Sequence, residues 1–157
     1  MIFISTGIES VSQKTLDKIN KRITVEGVEN KIKIMRDFNI RISVNFIIGF
    51  PWETEDDYKA LIAFIEKNKL EKQSKLSYLT PLPSTRLYQE AIEKGFIKDE
   101  FGYIKNLGDL YWERMINLTS LPDDVLDYYY QKISHIGQKD VVYPEAKEYL
   151  RQIRKIH

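Results

Sequence analysis

The sequence predicts an α/β protein in which parallel strands alternate with helices. Two features of the 157-residue chain indicate this class. Residues 41–48 place apolar side chains at every second position in a run that is apolar almost throughout, as in a strand buried within a parallel sheet. The flanking segments repeat apolar residues at helical spacing, and glycine or proline ends each expected strand.

The expected elements follow one another in a regular order. Strands are predicted over 2–6, 41–48 and 75–79, and helices over 11–20, 25–38, 54–65, 84–94, 122–133 and 144–156. Thr24 and Thr54 are expected to cap helices, and Gly95 is expected to end one. Three strand–helix alternations in the first hundred residues favour parallel strands with helical crossovers. Residues 99–111, which contain Gly102 and Gly108, are predicted to form a loop.

Composition excludes several classes of function. The chain has 24 Lys and Arg against 23 Asp and Glu, a net charge of +1, so neither nucleic acid nor a membrane is an expected partner. It contains no cysteine, which excludes disulfides, zinc–thiolate sites, a cysteine nucleophile and an iron–sulfur cluster held by this chain alone. No signal peptide or long apolar run is present, and a cytoplasmic location is expected.

Three turns carry the candidate binding residues, because ligands of parallel α/β proteins bind where the strands end. Glu9 and Ser10 follow the first strand. The carboxylate of Glu9 can accept hydrogen bonds from both vicinal hydroxyls of a ribose, and Ser10 can take part. The alternative is that the two residues only cap the next helix.

The second turn begins at Gly49. Lacking a side chain, Gly49 allows a flat ring such as adenine to lie against the strand end and bond exposed amides, while Ile47 and Phe50 form an apolar wall. The alternative is a turn that needs glycine and proline for its geometry alone. Asn45 is a polar residue within the apolar strand, and it requires a hydrogen-bond partner from a ligand, water or a neighbouring strand.

Other polar and aromatic residues are given structural interpretations. Glu53 is interpreted as a negative charge near the start of a helix. Trp52 is predicted either to cover a ligand or to pack on the next helix. His135 and His157 lack neighbours at metal-ligand spacing and are interpreted as surface or packing residues. The three consecutive tyrosines at 128–130 cannot share one helix face, so they are interpreted as helix packing plus an exposed ring.

Three segments together resemble the radical S-adenosylmethionine (SAM) enzymes. Residues 7–14, Gly-Ile-Glu-Ser-Val-Ser-Gln-Lys, are similar to that family's Gly-x-Glu-Ser-Gly-Ser-Gln. Residues 45–55 resemble Asn-Phe-Ile-x-Gly-Phe-Pro-Gly-Glu-Thr-Glu, and residues 79–88 resemble Pro-x-Pro-Gly-Thr-x-Leu-Tyr. The group most similar is the one often preceded by a cobalamin-binding domain, including the magnesium-protoporphyrin IX monomethyl ester cyclase-like proteins.

The resemblance implies a partial TIM-like barrel of parallel strands and helices, of which residues 1–98 supply strands four to six and residues 99–157 form a helical extension. It implies that Glu9 and Ser10 contact the ribose of SAM. Asn45, Ile47, Gly49 and Phe50 would lie on the adenine side, and the Leu79 to Pro81 region would close that pocket. A 4Fe-4S cluster, and in some members cobalamin, would belong to a preceding half of the same protein.

The chain departs from the family pattern at three positions. Val11, Trp52 and Ser84 stand where glycine is common, and each removes backbone freedom from a turn. Residues 2–4 predict a strand at the first residues of the chain. That strand is interpreted either as a natural N-terminal strand or as a boundary within a larger barrel.

Three hypotheses of function follow. The first is half of a radical SAM active site, inactive without the cluster, acting on a small molecule and paired with the other half of its protein. The exposed strand edge at residues 2–5 also allows a dimer. The second is a cluster-free module that binds adenosine or SAM, and the third is a structural or assembly protein.

Overall fold

The fold is a three-stranded parallel sheet with helices packed against it. The computed structural model describes residues 2–107 and 113–136. The strands are β1 (Phe3–Glu9), β2 (Arg41–Ile48) and β3 (Ser74–Tyr78), in the order β1-β2-β3. Among the described residues the helices are α1 (Gln13–Lys18), α2 (Val25–Asp37), α3 (Glu55–Lys67), α4 (Arg86–Glu93), α5 (Glu100–Asn106) and α6 (Asp123–Ser134). The predicted α/β class with three parallel strands is confirmed.

Side-chain caps fix where the crossover helices start. The hydroxyl of Thr24 accepts from the Gly27 amide at 3.0 Å, which satisfies one of the free N–H groups at the start of α2. At α3 the Asp57 carboxylate accepts from the backbone N–H of Thr54 at 2.9 Å and from its hydroxyl at 3.0 Å. Both predicted caps are therefore confirmed.

The two faces of β2 differ in what covers them. Ile42, Val44, Phe46 and Ile48 are buried in the main core together with apolar residues of α2 and α3. Ser43, Asn45 and Ile47 alternate with them and point to the opposite face, because successive side chains of a strand point to opposite sides. The polar residues of this strand therefore share one face of the sheet.

The helix that covers β3 is α6, which lies far along the chain. Tyr78 and Tyr130 stack with ring centroids 4.1 Å apart, and the Tyr78 hydroxyl donates to Asp127 at 2.9 Å. Arg114 donates to both oxygens of the same Asp127 carboxylate at 2.8 and 3.0 Å. Burial and the negative charge of Asp127 raise the pKa of Tyr78, so its hydroxyl stays protonated and remains a donor.

The helix that directly follows β3 instead helps to build a second apolar cluster. Its buried members are Tyr88, Ala91, Ile97, Tyr103 and Leu118. This cluster joins residues on both sides of the predicted boundary between 98 and 99, while α6 belongs to the main core. The division into 1–98 and 99–157 stays a prediction.

Two sequence-based boundaries are wrong. The first strand does not stop at Gly7 but continues to Glu9 through a bulge. The predicted loop over 99–111 contains helix α5, because the Asp99 side chain accepts from the Gly102 amide at 3.0 Å and starts a helix there. The predicted helix at 144–156 lies outside the described residues.

Strand β1 is an edge of the sheet, and its first residues are exposed. Phe3 is 57% exposed, and Ile34 on the neighbouring helix α2 is 54% exposed. Within residues 2–107 and 113–136, no helix has the length and apolar character needed to cross a bilayer.

We expect Leu126→Ala to lower the free energy of unfolding by about 2–5 kcal/mol, the usual cost of a cavity left by a buried leucine. Leu126 is 1% exposed and joins α6 to the main core. Urea denaturation measures the change. Leu82→Ala is the matched control, since Leu82 is 45% exposed and should cost less than about 0.5 kcal/mol. Equal losses for the two variants would contradict the placement of α6.

Candidate functional site

The three turns predicted to carry the binding residues follow the same edge of the sheet. Strands β1, β2 and β3 are parallel neighbours, so Glu9, Ile48 and Tyr78 end them in the same direction. The turns that start at Ser10, Gly49 and Leu79 therefore leave the sheet at one rim. This confirms the arrangement of the turns, and the role of each residue is a separate question.

Glu9 ends β1 with its carboxylate folded back over the strand. Its φ of 71° lies in the left-handed region, and the bulge falls between Gly7 and Glu9. A Cβ placed on Gly7 would overlap Oε1 of Glu9, so the missing side chain of Gly7 leaves the room that this carboxylate occupies. Glu9 does not cap α1; it accepts from Nζ of Lys21 at 2.8 Å.

The glycine two residues before Glu9 has a role in the structure that the sequence analysis does not assign to it. Gly7 is predicted there to end a strand and to begin the segment that resembles the family motif. In the structure it continues β1 and makes space for the carboxylate. A Gly-x-Glu pattern at the carboxyl end of a strand is the signal that could have identified this role.

Ser10 is engaged in a local turn. Its side chain is buried, and its oxygen accepts from the amide of Ser12, the residue that precedes α1, at 3.1 Å. Ser10 therefore stabilises the turn ahead of α1 and is not the cap that the structural alternative expects, since the N-cap residue of α1 is Ser12. Its predicted contact with a ribose stays a prediction.

Glu53 is turned into the molecule beneath the second turn. It is 3% exposed, and Oε2 accepts from the Gly49 amide at 2.8 Å and the Phe50 amide at 3.1 Å. Glu53 lies two residues before α3, so it is near a helix start as interpreted, but its buried carboxyl accepts from the turn at Gly49 and Phe50. Because the Gly49 and Phe50 N–H groups donate to Glu53, the expectation that Gly49 offers exposed amides to an adenine ring is wrong.

Gly49 has a φ of +99°, a backbone conformation that suits glycine and turns the chain away from β2. Burial raises the pKa of Glu53 to about 7, although the two amide donors oppose the shift. Near neutral pH the Glu53 carboxyl is therefore present in both its protonated and its ionised form, while its oxygen accepts from the two amides of the turn.

Trp52 ties the second turn to the helix after the first. Its indole N–H donates to the hydroxyl of the fully buried Thr15 in α1 at 2.9 Å. Its ring stacks on Phe50 with centroids 5.6 Å apart, and the ammonium of Lys18 lies 4.3 Å from the ring centroid. Trp52, which stands where the family pattern has glycine, therefore links the second turn to helix α1, which follows the first turn. Phe50 is buried against the Trp52 ring.

Asn45 and Ile47 lie on the open face of β2 and line a cavity of about 570 Å³ together with Glu9. Oδ1 of Asn45 is buried, and no hydrogen-bond partner for it exists among the described residues. A buried acceptor without a donor is costly, so this atom needs a partner from outside the described part of the chain. The hydrogen-bond partner that the sequence analysis expects for Asn45 stays a prediction.

The third turn is held by the second apolar cluster. The Leu79 amide donates to the Ile48 carbonyl at 2.8 Å, which continues the pairing of β3 beyond Tyr78. Pro81 is buried, and its carbonyl accepts from the Tyr103 hydroxyl at 2.8 Å. The structure therefore places the Pro81 ring inside the protein, and its role beside adenine stays a prediction.

The other residues considered in the sequence analysis, His135 and the tyrosines of α6, contact the protein itself. His135 follows α6, where Nδ1 lies 2.8 Å from the Gln131 carbonyl, and His157 lies outside the described residues. Tyr128, Tyr129 and Tyr130 are all buried in the main core, which confirms helix packing, but the prediction that one of the rings is exposed is wrong. No cluster of metal-ligating side chains occurs within the described ranges.

Glu53 should make folding stability depend on pH. Between pH 4.5, where the unfolded carboxyl releases its proton, and about pH 7, only the folded state keeps the proton, so stability falls as pH rises. One proton contributes at most about 1.4 kcal/mol per pH unit, which gives a loss of roughly 2–3 kcal/mol across the window.

Urea unfolding at a series of pH values measures this loss. Glu53→Gln should flatten the dependence, because its amide oxygen still accepts from the Gly49 and Phe50 amides but does not titrate. Glu66→Gln, which removes an exposed carboxylate from α3, should leave the slope unchanged. The same slope in Glu53→Gln and the wild type would contradict this role.

Trp52→Phe should lower the free energy of unfolding by about 1–3 kcal/mol, because it leaves the buried Thr15 hydroxyl without its donor. Thr15→Val removes the acceptor instead. In the double variant the two costs should not add, since both changes remove the same hydrogen bond. Additive costs in a double-mutant cycle would show that the bond does not join the two turns.

Comparison with known sequences adds independent information. A sequence model described as the Radical SAM superfamily matches residues 1–65. This segment contains β1, β2, the Gly7–Glu9 carboxylate site and the Gly49–Glu53 turn.

Three curated relatives each match more than half of the chain. An uncharacterised methyltransferase of Pyrococcus horikoshii is 35% identical over 91 residues, 58% of this chain and 20% of its own length. The tRNA-2-methylthio-N(6)-dimethylallyladenosine synthase of Ehrlichia ruminantium is 38% identical over 85 residues, 53% of this chain and 19% of its own length. The bacteriochlorophyllide d C-8(2)-methyltransferase of Chlorobaculum tepidum is 33% identical over 101 residues, 62% of this chain and 22% of its own length.

The chain thus spans about a fifth of the length of these relatives. Their names describe methyl and methylthio chemistry, and the closer likeness to the ester cyclase-like group stays a prediction. The superfamily match covers the first and second turns, and strands β1 and β2, which lead into them, are parallel, as the resemblance implied. Residues 1–65 of this chain, which contain β1 and β2, match the radical SAM superfamily.

Proposed function

We propose that this chain forms the ribose- and adenine-binding side of the SAM site of a radical SAM enzyme. The observation that carries the proposal is the Glu9 carboxylate, which lies over Gly7 at the end of β1 and lines one cavity with Ile47. Both residues fall in the segment that matches the superfamily. A carboxylate held at a strand end beside an apolar side chain suits a nucleoside, which has a polar diol and a flat ring.

The residues of this rim fit the adenosyl part of SAM. Glu9 would accept from the two ribose hydroxyls, with Ser10 beside it, and the ion pair with Lys21 orients the carboxylate. Ile47 would contact the adenine ring, and Gly49 with Phe50 would shape the turn above it. Leu79 and Pro81 would support the far side of the ring through the backbone of the third turn.

When bound beside a reduced iron–sulfur cluster, SAM supplies the radical hydrogen-abstraction chemistry of this family. The chain has no cysteine and cannot provide thiolate ligands for a 4Fe-4S cluster. We therefore place the cluster on another part of the same protein and expect this chain alone to be inactive. A cobalamin domain ahead of the chain is a further prediction.

The exposed edge of β1 is the expected contact with that other part. A groove of about 630 Å³ lies between β1 and α2 and is lined by apolar side chains that include Ile4, Ile32 and Met35. An adjacent strand with its helix would pair with β1 and fill this groove. Pairing with a second copy is the alternative occupant, and it gives a dimer of the chain.

The substrate of the proposed enzyme is a small molecule in the cytoplasm. The balanced charge of the chain supports this, since it offers no broad attraction for nucleic acid or anionic membranes. The methyl and methylthio chemistry in the relatives' names supports a group-transfer reaction for the whole protein.

Complementation tests the proposed function. The chain is mixed with a separately expressed N-terminal half that carries the cluster cysteines, and formation of 5′-deoxyadenosine from SAM is measured under anaerobic reducing conditions. We expect product only when both halves are present. Folded halves that associate but form no product would contradict the proposal.

Glu9 has its own test in the same complex. Glu9→Gln should weaken the preference for adenosine over 2′-deoxyadenosine by roughly tenfold, because one charge-assisted hydrogen bond to the diol is lost. Calorimetry or competition binding measures the preference, and Glu26→Gln on the exposed side of α2 is the control with the same charge change. An unchanged preference would remove Glu9 from the ribose site.

A cluster-free binding module is the second candidate, because Glu9 and Ile47 line one cavity without help from another chain. Micromolar binding of 5′-deoxyadenosine by the isolated chain would favour the module. Binding that appears only after the N-terminal half is added would favour the enzyme half.

A further inference from the structure

The open face of the sheet carries a row of polar groups below the rim. In register, Gly7 of β1 pairs with Asn45 of β2, and Asn45 pairs with Lys75 of β3. Residues paired in register point to the same face, so Asn45 and Lys75 lie side by side. The carboxylate of Glu9 occupies the space over Gly7 and completes the row.

The row is ordered by charge. Glu9 is negative at the β1 end, the Asn45 amide is neutral in the middle, and Lys75 is positive at the β3 end. Neighbouring strands lie about 4.8 Å apart, so the row extends over roughly 10 Å. All three side chains line the cavity of about 570 Å³, a volume in the range of small-molecule sites.

Two groups in this row are available to a ligand, the buried Oδ1 of Asn45 and the solvent-exposed ammonium of Lys75. Oδ1 of Asn45 is buried and lacks a donor within the described residues. Among the same residues, no carboxylate forms an ion pair with Lys75, although Lys21, Lys59 and Lys67 each have one. A cation and an unpaired amide on the floor of one cavity suit a ligand that brings an anion next to a hydrogen-bond donor.

Asn45 and Lys75 lie below the rim, whereas Glu9 belongs both to this row and to the proposed adenosyl site in the same cavity. Asn45 precedes Ile48, the last residue of β2, by three residues, which places it about 10 Å below the rim at 3.3 Å per residue. Ser77 pairs with Ile47 one step nearer the rim and adds a hydroxyl. The C-terminal end of α6 borders the cavity beside β3, where Ile133 and Ser134 line it.

We infer that the open face binds the substrate through its carboxylate or phosphate group, with Lys75 and the Asn45 amide as the recognition pair. The anionic group lies at the β3 end beside the Lys75 ammonium, because Lys21 at the β1 end is already paired with the Glu9 carboxylate. A hydroxyl or N–H next to the anion meets the unpaired oxygen of Asn45. This inference rests on the proposed function, and it reassigns Asn45 from the cofactor to the substrate.

Small probes test the recognition pair in the full chain. Glycolate carries a carboxylate beside a hydroxyl, glycolamide is its neutral counterpart, and inorganic phosphate represents the other anion. Nuclear magnetic resonance follows the side-chain amide of Asn45 as each probe is added. We expect saturable shifts with glycolate or phosphate at a dissociation constant on the order of 1 mM, and the stronger of the two identifies the anion.

Matched variants decide the outcome. Lys75→Gln should weaken the binding of the preferred anion at least fivefold, whereas Lys72→Gln removes an exposed charge just before β3 and should leave it unchanged. Equal effects of the two variants, equal binding of glycolamide and glycolate, or the absence of saturable shifts with either anion would each overturn the inference.

The proposed function is judged separately in the complemented complex. Lys75→Gln should leave adenosine binding there unchanged. Adenosine binding without anion binding would contradict only the proposed substrate site. Loss of adenosine binding by the wild-type complex would count against the proposed function instead.

Discussion

The structure depends on the parallel pairing of β2 with both of its neighbours. Main-chain hydrogen bonds set the register from Phe3 with Arg41 to Ile48 with Tyr78. Because all strands run in one direction, three turns that are far apart in the chain begin at the same edge. The same register aligns Asn45 with Lys75 on the open face of the sheet. One set of backbone hydrogen bonds therefore arranges both the turns of the proposed cofactor site and the polar row of the proposed substrate site.

Carboxylates bound close to glycine recur in this chain. The Glu9 carboxylate lies over Gly7, Glu53 accepts from the Gly49 amide, and Asp99 accepts from the Gly102 amide. In each case a short stretch of chain turns back on itself, and a charged oxygen satisfies or covers the backbone. The three glycines serve different purposes, since only Gly49 among them requires a positive φ.

Much of this fold could be predicted from the sequence because hydrophobic spacing and helix caps are local signals. The strand at 41–48, the cap residues Thr24 and Thr54 and the parallel class are all confirmed. The inward turn of Glu53 could not be predicted, because a carboxylate near a helix start is usually solvated and its burial depends on the turn geometry of Gly49 and Phe50. Helix α5 was missed because Gly102 looked like a loop residue, although it makes room for the Asp99 cap.

The long separation between β3 and its covering helix affects how the chain folds. Tyr78 and Asp127, which bond to each other, are 49 residues apart. At synthesis rates of about 5–20 residues per second, this face of β3 waits roughly 2–10 seconds for α6 to emerge from the ribosome. During that interval the nascent chain leaves the Tyr78 ring without the Tyr130 ring on which it later stacks, so this side of β3 reaches its final packing late.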